Sequence, residues 1–313
     1  MKRSLVFPGQ GSQQVGMGKA LNDAFVESRE VFQEVDDALG QKLSTMMFEG
    51  TVDDLKLTEN AQPALMAVSM AVVRVLDKQG GFRLPEAARF VAGHSLGEYS
   101  ALCAAGSLTL SDTARLLRLR GKAMQQAVPV GIGAMAALIG VDMNVAEEIA
   151  AAAAQGEVCT AANDNAPGQV VVSGHVAAVD RAMTIAAERG FKRSVKLPVS
   201  APFHCPLMQP AADAMQAALA KITIKAPCVP VVANVTAEAN SEVDSIRDLL
   251  VKQVTGAVRW RESVLYMKAH GVEQLVECGA GSVLAGLTKR IDKEVTALSL
   301  HTPEEIDNFL KTR

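Results

Sequence analysis

The sequence predicts an α/β protein, with a mainly parallel sheet covered by helices on both faces and a smaller domain inserted into it. Three observations lead there. Short apolar runs at 4–7, 90–92, 229–235, 272–278 and 295–300 are separated by longer segments of helical period, the pattern of buried parallel strands joined by crossover helices. Between 129 and 198 the order changes to strand, helix, strand, strand, helix, strand, which is the ferredoxin-like βαββαβ unit. Finally, Gly93-His94-Ser95-Leu96-Gly97 fits G-x-S-x-G, with an apolar run before it and a helix-competent run after it, so it reads as a sharp strand-to-helix elbow.

The elements follow in chain order. Residues 4–7 form a short buried strand, and the loop Pro8-Gly9-Gln10-Gly11-Ser12-Gln13 comes next. That loop is either a plain connection or a place where small residues let backbone N–H groups approach a ligand oxygen. Helical patterns run through 15–38 and 60–79, with Pro63 early in the second, where a missing N–H costs little. Residues 111–127 open on the capping pair Ser111-Asp112 and continue as a helix. Its arginines mostly face solvent, but Leu116 and Leu117, four and three residues earlier, bring Arg120 close to the apolar face. A guanidinium there is a two-pronged clamp for a carboxylate.

Composition shifts at Pro129-Val130-Gly131-Ile132-Gly133. Strands at 134–140, 157–162, 169–173 and 191–197, helices at 144–155 and 175–189, and turn residues over 163–168 make up the insertion. The expected division is therefore 1–128 with 199–313 as the large catalytic domain and 129–198 as the inserted one. The chain returns through Pro198-Val199-Ser200-Ala201-Pro202-Phe203-His204-Cys205-Pro206, whose three prolines exclude a regular helix or central strand. Helices near 208–221, 242–254, 260–270 and 282–291, and a short final helix, complete the large domain around its last three strands.

Composition narrows the class of function. Of 313 residues, 49% are hydrophobic and 21% charged, as in an ordinary globular protein with a substantial core. A net charge of −3 argues against general nucleic-acid binding, while leaving room for a local basic patch. Five widely spaced cysteines without a C-x-x-C pair suggest reduced thiols, and no metal-site spacing is present. No apolar stretch has the length of a membrane span, and Pro8 and Gly9 interrupt the first apolar run, so a cytoplasmic protein is expected.

The elbow points to acyl transfer through a serine ester. Its glycines permit the strained turn, and the helix N-terminus favours the negative charge that develops when a carbonyl is attacked. Ser95 needs a base, and there are five histidines. His94 should project away from the hydroxyl, while His175, His270 and His301 have structural explanations at helix ends or near the terminus. His204, on the proline-constrained loop, is the candidate base. No aspartate or glutamate has comparable context, so a dyad whose histidine is oriented by a backbone carbonyl is one solution.

The motifs GQGSQ at 9–13, GHSLGEYSAL at 93–102, LRGKAMQ at 119–125, NAPGQVVVSG at 165–174, PFH at 202–204, KQVTGAVRW at 252–260 and GLTKRI at 286–291 occur in an order that resembles the malonyl-CoA:acyl carrier protein transacylases of bacterial fatty-acid synthesis. The resemblance covers nearly the whole chain. It implies an α/β-hydrolase-like large domain with a ferredoxin-like insertion, no permanently bound cofactor, malonyl-CoA as substrate, and a carrier protein that brings its own phosphopantetheine.

It also implies roles for individual residues. Ser95 would carry the acyl group, His204 would act as general base and acid, and Arg120 would pair with the malonyl carboxylate. Gln10 and Leu96 would supply oxyanion-hole N–H groups, and the main-chain carbonyl of Gln253 would orient the histidine. Phe203 stands where many bacterial members have serine; in polyketide relatives a phenylalanine there accompanies malonyl over methylmalonyl selection. The late turn reads Cys278-Gly279-Ala280-Gly281, where the family usually has proline between the glycines. An acidic carrier protein calls for a basic surface, for which Arg189, Lys192, Arg193, Lys196, Lys289 and Arg290 are candidates. A serine hydrolase would share the elbow and the histidine, and a non-catalytic acyl-binding module would lack the need for them.

Overall fold

The computed structural model describes residues 2–199 and 201–312. Its strands, in chain order, are β1 (Arg3–Phe7), β2 (Val91–Gly93), β3 (Gly133–Ile139), β4 (Cys159–Ala166), β5 (Gln169–His175), β6 (Arg193–Lys196), β7 (Val231–Val232), β8 (Ala239–Asn240), β9 (Gln274–Cys278) and β10 (Thr296–Leu300). They form a six-stranded sheet of order β10-β9-β1-β2-β7-β8 and a four-stranded sheet of order β4-β5-β3-β6. In the larger sheet every pairing is parallel except β7 with β8. In the smaller one every pairing is antiparallel, and its order is that of a ferredoxin-like unit.

Alternation along β1 shows why the large sheet needs helices on both sides. Leu5 and Phe7 enter one core with the long helix Thr58–Gly80 and the helix Leu110–Gln126, while Val6 joins Phe90, Ala92, Val232, Trp260 and Leu275 in another. The small sheet has its own core on one face, where Leu138, Val170 and Val172 meet Ile149, Val179 and Ala182. Its other face, through Met135, Ala137 and Val171, packs into the core of the large sheet.

Several expectations change. The helix expected over 15–38 is two helices, Lys19–Ala24 and Val26–Leu39, because Gly16 and Gly18 adopt φ of 93° and 81° and Phe25 is extended between them. Short helices at Leu43–Glu49, Val52–Lys56 and Leu84–Ala87 had no clear pattern in the sequence. The strand expected at 229–235 pairs only over Val231–Val232, and β8 then folds back on it.

The largest difference concerns 163–165, expected in a turn. These residues continue β4, with register shifts after Ala161 and Asp164, and the turn shrinks to Pro167-Gly168. The cause is tertiary: Asp164 N donates to Val258 O and Val258 N to Ala162 O, both at 2.9 Å, so the segment docks on the large body. No described helix is long and apolar enough to cross a membrane.

Candidate active site

β1 and β2 are adjacent and parallel, with Phe7 opposite Gly93, so the loops after both strands leave the sheet at the same carboxyl edge. His94 N donates to Phe7 O at 3.0 Å and holds the two loops together. The chain then reverses into the helix Leu96–Ala104, with Ser95 at φ 53°, ψ −111°. Both flanking glycines are required by space. A Cβ on Gly93 would lie 1.9 Å from the Gly97 carbonyl, and one on Gly97 would lie 2.3 Å from Phe7 O. Leu96 opens the helix, where its N–H has no intrahelical acceptor.

Ser95 Oγ stands 2.8 Å from His204 Nε2. His204 is also a non-glycine residue in the left-handed region, with φ 57°, so both members of the pair sit on strained backbone. The ring's Nδ1 faces two carbonyls, Gln253 O at 2.9 Å and Gly256 O at 3.2 Å. Carbonyls only accept, so Nδ1 carries the proton and Nε2 is left to accept from the serine hydroxyl. Burial, and then the nearby Arg120 charge, push the imidazole pKa down to about 3, which keeps the ring neutral.

Arg120 is 1% exposed and reaches the same serine, its Nη2 donating to Ser95 Oγ at 3.1 Å. The guanidinium is held between two glutamines: Nη1 donates to Gln62 Oε1 and Nη2 to Gln253 Oε1, both at 2.8 Å. Its Nε is buried with no partner. Burial lowers the pKa of this cation, and Tyr99 and Glu98 oppose that effect.

A cavity of about 470 Å³ opens over these groups. Gln10, Leu96, Met124 and Phe203 line it from the large body, and Asn163 and Asn165 line it from β4. Gln10 hangs on the neighbouring loop, its side-chain oxygen accepting from Thr58 Oγ1 at 2.8 Å. Phe203 is 8% exposed and fills space beside the histidine. His94 makes no bond to the serine; its Nε2 meets Asn165 Oδ1 at 2.8 Å.

All seven residues singled out from the sequence, Ser95, His204, Arg120, Gln10, Leu96, Phe203 and Gln253, therefore meet in one place. Four others were not. Gln62 holds Arg120, Asn165 holds His94, and Asn234 Oδ1 accepts from Ser95 N at 2.7 Å while its Nδ2 donates to Gly93 O at 2.7 Å. The fourth, Glu98, is 3% exposed and accepts from Asn234 N at 3.0 Å and Gln253 Nε2 at 2.7 Å. Burial raises its pKa to about 7 against those bonds and the Arg120 charge. Its signal was spacing alone: Glu98 lies three residues after Ser95, on one helix face. Chemically, a neutral base, a serine hydroxyl and a buried cation meeting at a helix N-terminus suit the transfer of an acyl group that carries a carboxylate.

A family model described as "Acyl transferase domain" matches residues 4–302. The chain belongs to the acyl transferase domain family. Among curated members, it is 48% identical over 300 residues to the malonyl CoA-acyl carrier protein transacylase of Escherichia coli (strain K12), covering 96% of each chain. Among solved structures, the acyl-carrier-protein-S-malonyltransferase of Bartonella henselae superposes with a TM-score of 0.97 at 56% identity, covering 99% of both chains. A malonyl-transacylase solved in complex with its type II PKS acyl-carrier protein superposes with a TM-score of 0.96 at 41% identity, covering 100% of both. Within this acyl transferase domain, the elbow serine and the β4 residues Asn163 and Asn165 line one cavity.

Proposed function

We propose that this chain moves a malonyl group from malonyl-CoA to the phosphopantetheine thiol of acyl carrier protein through a malonyl ester on Ser95, as a step of cytoplasmic fatty-acid biosynthesis. The observation that carries the reading is Ser95 Oγ standing 2.8 Å from the neutral His204 Nε2 and 3.1 Å from the buried Arg120 Nη2. One partner suits proton transfer from the hydroxyl, and the other suits a carboxylate at the far end of the acyl chain.

In the first half-reaction Ser95 Oγ attacks the thioester carbonyl while His204 Nε2 takes the hydroxyl proton. The carbonyl oxygen becomes an oxyanion held by the N–H groups of Gln10 and Leu96. The C–S bond then breaks, His204 returns its proton to the sulfur, and coenzyme A leaves as the thiol. The second half runs in reverse order: the pantetheine thiol gives its proton to His204, its sulfur attacks the ester, and Ser95 Oγ leaves and is reprotonated. One site serves the acyl donor and the acceptor thiol in turn, so the kinetics are ping-pong. Gln253 O orients the base, and Phe203 restricts room beside the acyl α-carbon. No resident cofactor or metal takes part.

The division of labour follows the two sheets, with 1–128 and 199–313 as the catalytic body and 129–198 as the insertion that closes the cavity. Lys289 and Arg290 lie on the helix Val283–Ile291, and Arg290 donates to Pro167 O at the β4–β5 turn, so a basic docking surface for the acidic carrier would span body and insertion. Intact-protein mass spectrometry after mixing with malonyl-CoA tests the reading. It should show one added malonyl group, absent in Ser95→Ala and discharged onto holo carrier protein. Discharge to water at the same rate without carrier would make the chain a hydrolase and refute the proposal.

A further inference from the structure

Under the reacting groups lies a carboxylate that touches none of them. Glu98 Oε2 accepts from Gln253 Nε2 at 2.7 Å and from Asn234 N at 3.0 Å. Gln253 Nε2 also donates to Ser95 O at 3.0 Å and lies 3.4 Å from Asn234 Oδ1, so three acceptors surround its nitrogen end, with Glu98 the nearest. The oxygen end is then turned toward Arg120, accepting from Nη2 at 2.8 Å, while the same residue's main-chain carbonyl accepts the hydrogen bond of His204 Nδ1–H.

A glutamine amide has a donor end and an acceptor end of nearly equal size, and only its neighbours decide which way it points. Turned over, Gln253 would set two N–H donors against the guanidinium, whose groups are all donors, and its oxygen against the Glu98 and Ser95 oxygens. The Glu98 acceptor, at 2.7 Å the nearest of the three, weighs most against that arrangement. Asn234, the other residue Glu98 holds, accepts from Ser95 N, so the same carboxylate also braces the strained elbow.

We propose that Glu98 is a positioning residue for acyl selection: by fixing the polarity of the Gln253 amide it holds the Arg120 guanidinium aimed at the acyl carboxylate beside Ser95. The inference rests on the reading of Arg120 as the carboxylate partner and goes beyond it by naming what aims it. Glu98 does not line the cavity over Ser95. Its effect reaches the acyl group only through Gln253 and Arg120, so it belongs to selectivity for a carboxylate-bearing donor over one without.

The test is single-turnover acylation of Ser95, followed by intact mass, with malonyl-CoA and acetyl-CoA compared for each variant. Glu98→Met removes the acceptor while keeping a side chain of similar length. The ratio of kcat/KM for malonyl-CoA to that for acetyl-CoA should fall about 10- to 100-fold, the range for losing a hydrogen bond to a charged group. Glu98→Gln, which returns an acceptor oxygen, should recover most of that ratio. A merely structural role would lower both donors together, and a ratio within about twofold of the parent would overturn the inference. Should Glu98→Met not fold, Gln253→Met serves, since it deletes the amide and keeps the carbonyl that His204 uses. It should lose the same ratio, and retention would again overturn the inference. Arg120→Ala separates the two levels. If it keeps the malonyl preference, the reading of Arg120 is what has failed; if it loses the preference while Glu98→Met does not, only the role of Glu98 has.

Discussion

Replacing Arg120 with methionine deletes the guanidinium and keeps much of the stem, so it isolates the charge. The side chain is 1% exposed, and its Nη2 lies 3.1 Å from Ser95 Oγ, so a carboxylate on an acyl group esterified to that oxygen falls within its reach. Leaving a buried carboxylate without its partner costs about 3–5 kcal/mol. At about 1.4 kcal/mol per tenfold, that is a loss of roughly 10² to several times 10³ in kcat/KM for malonyl-CoA. The cavity of about 470 Å³ is roomy enough for water to solvate the stranded anion in part, which places the expectation in the lower half of that range. Acetyl-CoA has no carboxylate to strand, so its acylation rate should change by less than about tenfold. Rapid-quench acylation with the two donors measures both. A methionine variant that keeps the parental malonyl-to-acetyl ratio within about threefold would refute the assignment of Arg120.

Two further outcomes follow from the same geometry. The pKa of His204 is pushed from 6.5 to about 3, first by burial and then by Arg120, so its ring should give the NMR signals of a neutral imidazole down to about pH 5. An inflection between about pH 6 and 7 that disappears in His204→Asn would contradict this. Because the unfolded chain takes up the proton first, this group's contribution to stability is complete above pH 6.5 and declines as the pH falls toward 3. Gly93→Ala places a Cβ 1.9 Å from the Gly97 backbone, which no rotamer can relieve. It should lower stability by more than about 3 kcal/mol or abolish soluble folding, and a melting temperature close to the parent's would show that the elbow can move.

What could be read from the sequence was whatever neighbours in sequence decide. The short runs forming β1, β2 and β9 are largely buried strands, while β10 at the sheet edge is only partly covered, and the opposite fates of Leu5 and Val6 in the two cores explain why both faces of β1 needed to be apolar. The segment 163–165 was misread because Asn and Asp favour turns by local hydrogen bonding, whereas their strand conformation comes from Val258, nearly a hundred residues away. Ser95, His204 and Arg120 each carried a local sign: flanking glycines, a proline-fixed loop, an arginine beside two leucines. Asn234 had none, and Glu98 had only its spacing, three residues after Ser95. Their bond spans 136 residues, and only the fold makes that pairing.

The absence of an acidic partner for His204 has a physical reason in the same network. The Arg120 charge is close enough to His204 to lower its pKa. An aspartate at Nδ1 would therefore set an anion next to that guanidinium, satisfy it internally, and weaken its hold on an incoming carboxylate. The carbonyls of Gln253 and Gly256 orient the ring without adding charge. Glu98 meets the guanidinium across the Gln253 amide, which leaves the face of Arg120 toward Ser95 free of a carboxylate of the protein's own among the described residues. A main-chain acceptor can belong to any residue type, so an orienter of this kind leaves no mark of its own in a sequence; the glutamine at 253 is required by its side chain, not by the carbonyl that His204 uses.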